Sequence, residues 1–236
     1  MKRAVMVGGS RGLGRGAVES LGDWELTVIG RDERTLAELQ SVSTVVGDGA
    51  DETLAEEVLR ERRPELLVIA AGVPPRLGPF HELSWEQFEA NWRADTKIAF
   101  VWLRQALRLP LAPGSHIIVV SSGAAVQGSP VSGGYASAKR AQWFLAQYAA
   151  TEIERAGLGM RVHCLLPNLN PSTELGRAGI AAYARRAGVS DEDFAKRFLP
   201  HLTPPIFGAA VAELAAHPGK WPELAYRVTG KGLAPV

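Results

Sequence analysis

The sequence predicts an α/β fold in which a doubly wound parallel sheet is covered by helices on both faces. Six apolar segments are too short for buried helices and are bounded by Gly, Pro or charged residues. They comprise residues 3–7, 25–29, 43–46, 65–70, 115–120 and 161–166. Most are apolar throughout rather than alternating, which is typical of strands buried on both faces. Longer segments with helical patterns separate them, and this alternation favours a doubly wound sheet.

Capping residues mark the starts of the intervening helices. Asp32 and Asp51 each precede a helical pattern and are predicted to be N-caps. Ser84 opens a long helix predicted over 84–107, with the spacing of a capping box. A second long helix is predicted over 135–157.

Length and charge limit the classes of protein to consider. The chain has 236 residues, of which 46% are hydrophobic, and no linker divides it, so we expect one domain over 1–236. There are 26 basic and 25 acidic residues, a net charge of +1. This balance gives no reason to expect a nucleic acid or an anionic membrane as partner.

The cysteine and histidine residues indicate which cellular compartment and which metal sites to expect. Cys164 is the single cysteine, which excludes an internal disulfide and fits a reducing compartment. The N-terminus lacks the pattern of a signal peptide, and no apolar run approaches the ~20 residues of a membrane span. We therefore expect a cytoplasmic protein. The five histidines show no metal-ligand spacing, so no metal is expected.

Residues 170–205 interrupt the alternation of strands and helices. This mixed, partly helical segment follows the strand predicted at 161–166. Folds of this kind bind ligands at the carboxyl ends of their strands. The segment is therefore predicted to be a substrate lid.

A glycine-rich loop, VMVGGSRGLGRG, joins the first strand to the first helix. Gly8, Gly12 and Gly14 allow a tight turn and bring backbone N–H groups close to a pyrophosphate, where the helix dipole also favours negative charge. A glycine turn with no ligand is the alternative. Its position directly after an N-terminal strand favours a dinucleotide site.

Tyr135 and Lys139 lie one helical turn apart, and Ser122 precedes Tyr135 by thirteen residues. A strand end and the start of the next helix both face the crevice at the carboxyl edge of the sheet. A free phenol is a weak acid at neutral pH, but an ammonium ~4–5 Å away favours the phenolate by roughly 3–4 kcal/mol at an effective dielectric of ~20. The pair therefore indicates proton transfer, with an inert surface pair as the alternative.

The loop spacing and the serine–tyrosine–lysine set resemble those of the short-chain dehydrogenase/reductase family. The resemblance runs over nearly the whole chain and ends with YRVTGKGL, which is similar to the family's last strand. It implies a single-domain Rossmann-like fold with about seven parallel strands. It also implies an NADPH-dependent carbonyl reductase or alcohol dehydrogenase that acts on a small-molecule carbonyl or alcohol.

The resemblance assigns roles to the predicted catalytic residues. Tyr135 would be the general acid, Lys139 would bind the nicotinamide ribose, and Ser122 would hydrogen-bond the substrate oxygen. Asp95 occupies the place of an Asn that relays protons through water to the lysine. Its carbonyl could still bind that water, and its carboxylate could pair with Lys139, so we expect activity with an altered pH profile. Asn91, one turn earlier, is an alternative relay.

The expected cofactor is NADP(H) rather than NAD(H). Gly30 occupies the place of the carboxylate that selects NAD, and Arg11 and Arg31 suit a 2′-phosphate. The alternatives are that Arg31 is only solvated, or that Asp32 supports NAD instead of capping its helix. The predicted cofactor-binding residues are Gly8, Ser10, Arg11, Gly12, Leu13, Gly14, Arg31, Asp48, Gly49, Ala70, Ala71, Gly72, Tyr135, Lys139, Pro167, Asn168, Asn170 and Ser172.

The resemblance also predicts self-association. In related proteins the helices corresponding to 84–107 and 135–157 pair across a dimer interface, and tetramers are common. The apolar character of 141–150 fits this arrangement, so a homodimer or homotetramer is expected. The alternative function is a non-catalytic NADP(H)-binding sensor or scaffold on the same fold.

Overall fold

A single sheet of eight strands organises the computed structural model, which describes residues 1–236. The strands are β1 (Arg3–Val7), β2 (Glu25–Gly30), β3 (Ser43–Val46), β4 (Leu66–Ile69), β5 (His116–Val120), β6 (Arg161–Pro167), β7 (Ala225–Thr229) and β8 (Gly232–Pro235). Their spatial order is β3-β2-β1-β4-β5-β6-β7-β8. The order reverses between β1 and β4, which places a crevice at their carboxyl ends.

Ten α-helices connect and cover the strands. They are α1 (Gly12–Ser20), α2 (Glu33–Ala37), α3 (Glu52–Arg62), α4 (Trp85–Asn91), α5 (Lys97–Arg108), α6 (Ala124–Gln127), α7 (Gly133–Arg155), α8 (Glu174–Ala187), α9 (Asp191–Ala195) and α10 (Pro204–Ala216). None of the helices is both long and apolar enough to cross a lipid bilayer.

The predicted parallel sheet is confirmed, with one addition at its edge. All six predicted strands form within two residues of their expected bounds, and β1 to β7 are mutually parallel. The eighth strand, β8, pairs antiparallel with β7 across the turn at Gly230 and Lys231. The sequence predicted about seven strands because β8 is only four residues long and contains Gly and Pro, which weaken a strand pattern.

The predicted helix 84–107 forms but is interrupted. Ser84 begins it with both hydrogen bonds of a capping box, as its spacing predicted. Between α4 and α5 the chain makes a π-helical turn, Trp92–Thr96. Such turns are rare and occur often at functional sites. No Pro or Gly marks this turn in the sequence, and it contains Asp95.

Two apolar cores lie on opposite faces of the sheet. One is formed with α3, α5 and α7 and includes the fully buried Trp102, whose Nε1 donates to the Gly49 carbonyl at 2.8 Å. The other is formed with α1, α2 and α10. Helices α1 and α10 approach so closely that a Cβ on Gly16 would lie 2.0 Å from the Pro204 carbonyl oxygen. This packing fixes α1, and therefore the loop before it, against the sheet.

A pair of buried histidines lies on the neighbouring strands β5 and β6. His116 Nε2 is 2.6 Å from His163 Nδ1, and His163 Nε2 is 2.8 Å from the Trp221 carbonyl oxygen. Since a carbonyl only accepts, His163 carries its proton on Nε2, and His116 donates to His163. Burial, the neighbouring histidine and Arg161 lower the pKa of His116 to about 3, and burial also lowers the pKa of His163.

This pair makes the fold sensitive to acid. Because the pKa of His116 is lower in the folded than in the unfolded chain, its contribution to stability is present above about pH 6.5 and is lost as the pH falls. Between about pH 8 and about pH 5 the loss is about 2 kcal/mol from His116. Urea unfolding should show that His116→Gln removes this part of the pH dependence. His217→Gln, at an exposed histidine, should retain it, and equal slopes in the two variants would contradict this origin.

Candidate active site

A cleft of about 530 Å³ opens at the carboxyl ends of β1, β2 and β4. It gathers most of the predicted cofactor residues from four separate parts of the chain. Those that line it are Gly8, Ser10, Arg11, Gly14, Arg31, Asp48, Gly49, Ala70, Ala71 and Gly72.

The glycine loop fits the pyrophosphate of a dinucleotide. Gly8 has φ +83° and a Cβ there would lie 2.5 Å from the Ala71 Cα, while a Cβ on Gly14 would lie 2.9 Å from the Gly8 carbonyl oxygen. Helix α1 has no side-chain cap and no acidic residue in its first turn. Its first N–H groups are therefore free to bind an anion that reaches the loop.

Basic side chains outnumber acidic ones in the lining of the cleft by four to two, and the acidic ones are Asp32 and Asp48. Arg11 and Arg31 line the cleft as predicted, and so do Arg93 and Lys97, which the sequence did not indicate. Asp32 accepts hydrogen bonds from the N–H groups of Arg34 and Thr35, so its role as a helix cap is confirmed. The cleft thus suits a ligand with several negative charges.

A glycine near the start of α7 sets the position of this helix against α4. A Cβ on Gly134 would lie 2.1 Å from the Phe88 carbonyl oxygen, so the start of α7 rests directly on the backbone of α4. Tyr135 follows in the first turn of α7, and Lys139 lies one turn later with Nζ 5.4 Å from the centre of the Tyr135 ring. Ser122 follows β5, where its Oγ accepts from the Ala124 N–H at 3.2 Å.

Lys139 is buried and meets three acceptors. Its Nζ donates to Gln142 Oε1 at 2.9 Å and to the Val120 carbonyl at 3.4 Å. It also lies 3.3 Å from Asp95 Oδ2 in an ion pair whose two side chains are 6% and 1% exposed. The pairing with Lys139 that was expected of the Asp95 carboxylate is therefore present.

The backbone after β4 holds the Asp95 carboxylate in place. Asp95 Oδ1 accepts from the Val73 N–H at 2.9 Å, and Asn91 Nδ2 donates to the Val73 carbonyl at 2.8 Å. A Cβ on Gly72 would lie 2.9 Å from Asp95 Oδ2, so only glycine leaves room for the carboxylate. Asn91 thus holds this backbone segment, and Val73, which lines the cleft, connects the cleft to Lys139 through Asp95.

Opposing effects act on the pKa of Lys139. Burial disfavours the ammonium and is the largest single effect, lowering the pKa. The charge of Asp95, and then that of Tyr135, favour the ammonium and outweigh burial, so the pKa of Lys139 is raised overall. Lys139 is therefore positively charged at neutral pH.

The Asp95 carbonyl, which was expected to bind a relay water, has a side-chain partner. That carbonyl accepts a hydrogen bond from Gln142 Nε2 at 2.8 Å. The side-chain amide therefore takes one of the two lone pairs of this carbonyl. Gln142 lies one turn after Lys139 on the same face of α7, and this spacing was the sequence signal that could have identified it.

The remaining predicted cofactor residues do not line the cleft. Asn170 is buried, where its Nδ2 donates to the Asn168 carbonyl and its Oδ1 accepts from the Ser172 N–H. The Pro167 carbonyl accepts from the Gly123 N–H at 2.9 Å, which places the end of β6 beside the segment that follows Ser122. Gly12 and Leu13 lie in the first turn of α1.

Removing the Asp95 charge should destabilise the protein. Asp95→Asn would leave a buried ammonium without its carboxylate, and breaking a buried pair in this way costs about 3 kcal/mol. We expect a lower midpoint in thermal or urea unfolding. Asp23→Asn, at an exposed carboxylate, is the matched control. A stability equal to that of the control would mean that the Lys139–Asp95 contact contributes nothing to folding.

Comparisons with known proteins agree with this geometry. Residues 2–180 match the family model of the short chain dehydrogenases. The fold is similar to that of a levodione reductase crystal structure, with a TM-score of 0.81 and 19% identity over 97% of this chain and 96% of that chain. It is also similar to a dehydrogenase/reductase from Sinorhizobium meliloti 1021, with a TM-score of 0.75 and 23% identity over 95% of this chain and 91% of that chain.

No curated protein sequence is significantly similar to this chain. The family match covers well over half of the residues, including the glycine loop and the Ser122, Tyr135 and Lys139 set. It favours an enzyme over a non-catalytic binding protein and implies a nicotinamide cofactor. The chain therefore belongs to the short-chain dehydrogenase family and is an oxidoreductase that acts on CH–OH or C=O groups.

Proposed function

We propose that the protein is an NADPH-dependent carbonyl reductase, or in reverse an alcohol dehydrogenase, with Tyr135 as the general acid or base. The observation that carries this proposal is the connection between two sites. The glycine-loop cleft is lined by Val73, and Asp95 links Val73 to Lys139 beside Tyr135. These contacts thus connect the proposed cofactor cleft with the proposed proton donor on α7.

The side chains divide the reaction between them. When bound, the reduced nicotinamide supplies a hydride to the substrate carbonyl carbon. Tyr135 donates its phenol proton to the carbonyl oxygen, so that the product is an alcohol. Ser122 hydrogen-bonds that oxygen as negative charge develops on it. Alcohol oxidation runs the same transfers backwards, and Tyr135 then accepts the proton.

Asp95 moderates the electrostatic effect of Lys139 on Tyr135. An ammonium beside a phenol favours loss of the phenol proton, and a carboxylate at 3.3 Å from the same ammonium opposes that effect. The pair is neutral as a whole. We therefore expect the enzyme to be active with a pH profile that depends on Asp95.

Arg11 and Arg31 support a preference for NADP(H). Both line the cleft, and neither belongs to any ion pair within the chain. Gly30, at the end of β2, supplies no carboxylate for a ribose 2′-hydroxyl. Two free guanidiniums suit a 2′-phosphate because each forms charge-assisted hydrogen bonds with it.

The other predicted cofactor residues serve separate parts of the dinucleotide in this proposal. Ser10, Gly12, Leu13 and Gly14 belong to the pyrophosphate loop, and Ala70, Ala71 and Gly72 allow close backbone approach. Asp48 and Gly49 would contact the adenine, and the Gly49 carbonyl accepts a hydrogen bond from Trp102. Pro167, Asn168, Asn170 and Ser172 would hold the carboxamide end of the cofactor, and Lys139 would bind the nicotinamide ribose.

Residues 170–205 form the substrate lid in this proposal. The segment contains α8 and α9, which pack through Ile180, Ala184 and Phe194. Tyr183 donates to Ser129 Oγ, so α8 is attached to the segment between Ser122 and Tyr135. A substrate would therefore lie between this segment and the lid, within reach of both catalytic hydroxyls.

We further propose that the enzyme is a homodimer or homotetramer. Large apolar side chains are exposed along α4, the π turn, α5 and α7, and a second copy of the same face would cover them. They are Trp85, Trp92, Phe100, Phe144 and Tyr148.

A cytoplasmic location fits the cysteine chemistry. Cys164 is the single cysteine and is buried in β6. Burial raises the pKa of its thiol to about 12, so the thiol is inert. The protein therefore depends on no oxidising compartment for its stability.

Tyr135→Phe tests the proposed general acid. Loss of the phenol proton should lower kcat by about 100- to 10,000-fold, the usual contribution of general acid catalysis. Turnover is measured as NADPH oxidation with a panel of ketones, quinones and acyl thioesters, and binding as NADPH fluorescence. We expect binding to be retained. Tyr148→Phe, on the exposed face of α7, is the control, and equal activity in the two variants would refute the assignment.

Arg31→Gln tests the cofactor preference. Loss of charge-assisted hydrogen bonds to the 2′-phosphate should lower the ratio of kcat/KM for NADPH to that for NADH by about 10- to 100-fold. Arg34→Gln, on the exposed side of α2 and outside the cleft, should leave the ratio as in the wild type. A wild-type preference for NADH would overturn the role of Arg31.

A further inference from the structure

We propose that Gln142 is a positioning residue that aims the Lys139 ammonium and closes the polar network behind Tyr135. The inference rests on the proposed function, because it gives Gln142 a task in that reaction. It is carried by the two hydrogen bonds of one fully buried side chain.

The orientation of the Gln142 amide is determined by its neighbours. Lys139 Nζ, at 2.9 Å, can only donate, so it must meet the amide oxygen. The Asp95 carbonyl, at 2.8 Å, can only accept, so it must meet the amide nitrogen. Rotating the amide by half a turn would break both bonds. Gln142 therefore ties Lys139 to the backbone of the π turn in a single arrangement.

Gln142 provides the shortest of three contacts to the ammonium. The acceptors are Gln142 Oε1 at 2.9 Å, Asp95 Oδ2 at 3.3 Å and the Val120 carbonyl at 3.4 Å. Gln142 and Val120 accept hydrogen bonds from the ammonium, whereas Asp95 Oδ2 faces it as an ion-pair partner. The distances indicate that Gln142 contributes more than Val120 to the direction in which Lys139 points.

The π turn presents both groups of Asp95 to this network. The Asp95 carboxylate meets Lys139 directly, and its carbonyl meets Lys139 through Gln142. A closed ring of Lys139, Gln142 and Asp95 results.

Gln142→Leu, which keeps the volume and removes both hydrogen bonds, is the test. Without its closest acceptor the buried ammonium is less favoured, so the Lys139–Tyr135 pair should lose a proton at lower pH. We expect kcat for reduction to fall about tenfold, and the alkaline limb of its pH profile to move down by about one unit. A purely structural role would lower kcat equally at every pH.

Gln147→Leu is the matched control. Gln147 lies on the same helix, is half-buried, and contacts neither Lys139 nor Asp95 through a hydrogen bond. Its pH profile should coincide with that of the wild type. A Gln142→Leu profile that coincides with the control after scaling would overturn the proposal.

Asp95→Asn gives a second measure of the same network. Because Gln142 and Asp95 act on one ammonium, the effects of Gln142→Leu and Asp95→Asn on kcat should not be additive in the double variant. Additive effects would mean that the two residues act independently, against the proposal.

Two further measurements test the proposal if Gln142→Leu does not fold or is inactive. In Gln142→Glu, the added negative charge should move the alkaline limb of the kcat pH profile to higher pH. A limb at the wild-type pH would overturn the proposal. A crystal structure of Gln142→Leu gives a readout independent of turnover, since Lys139 Nζ should leave its position beside Asp95. An unmoved Nζ would count against positioning. Absence of NADPH binding or turnover in the wild type would instead refute the proposed function itself.

Discussion

The ion pair between Lys139 and Asp95 is the interaction on which the site depends. Two charges removed from water lose several kcal/mol of solvation each, and only good geometry and further hydrogen bonds offset that loss. Here the Asp95 carboxylate also accepts from Val73, and the Lys139 ammonium meets Gln142 and Val120. The pair therefore ties together β4, the π turn, β5 and α7, which are the elements that surround the proposed reaction.

Close backbone approach is the constraint that makes this pair possible. Gly72 leaves room for the Asp95 carboxylate, Gly8 lets the phosphate loop rest on Ala71, and Gly134 lets α7 rest on α4. Each contact is too close for a side chain. The backbone contacts at Gly8 and Gly134, together with the buried carboxylate beside Gly72, therefore set the spacing between the cleft and α7.

The arrangement has a chemical consequence for this member of the family. A lysine that faces only a tyrosine would act on it with its full charge, whereas this lysine is paired with a carboxylate and bound by an amide. In the proposed reaction, Tyr135 therefore lies beside an ion pair rather than beside a single cation.

The sequence by itself determined the strands, the capped helices, the glycine loop and the spacing of Tyr135 and Lys139. These features arise from neighbours within one or two turns or from continuous apolar runs, so local patterns are sufficient to identify them. It also placed Asp95 opposite Lys139, through the resemblance to the family.

The tertiary structure alone decided that the chain makes a π turn at Asp95 and that Gln142 donates a hydrogen bond to the Asp95 carbonyl, 47 residues away in sequence. The pairing of His116 with His163, also 47 residues apart, is of the same kind. Such contacts depend on how elements distant in sequence pack together, and no local periodicity encodes that packing.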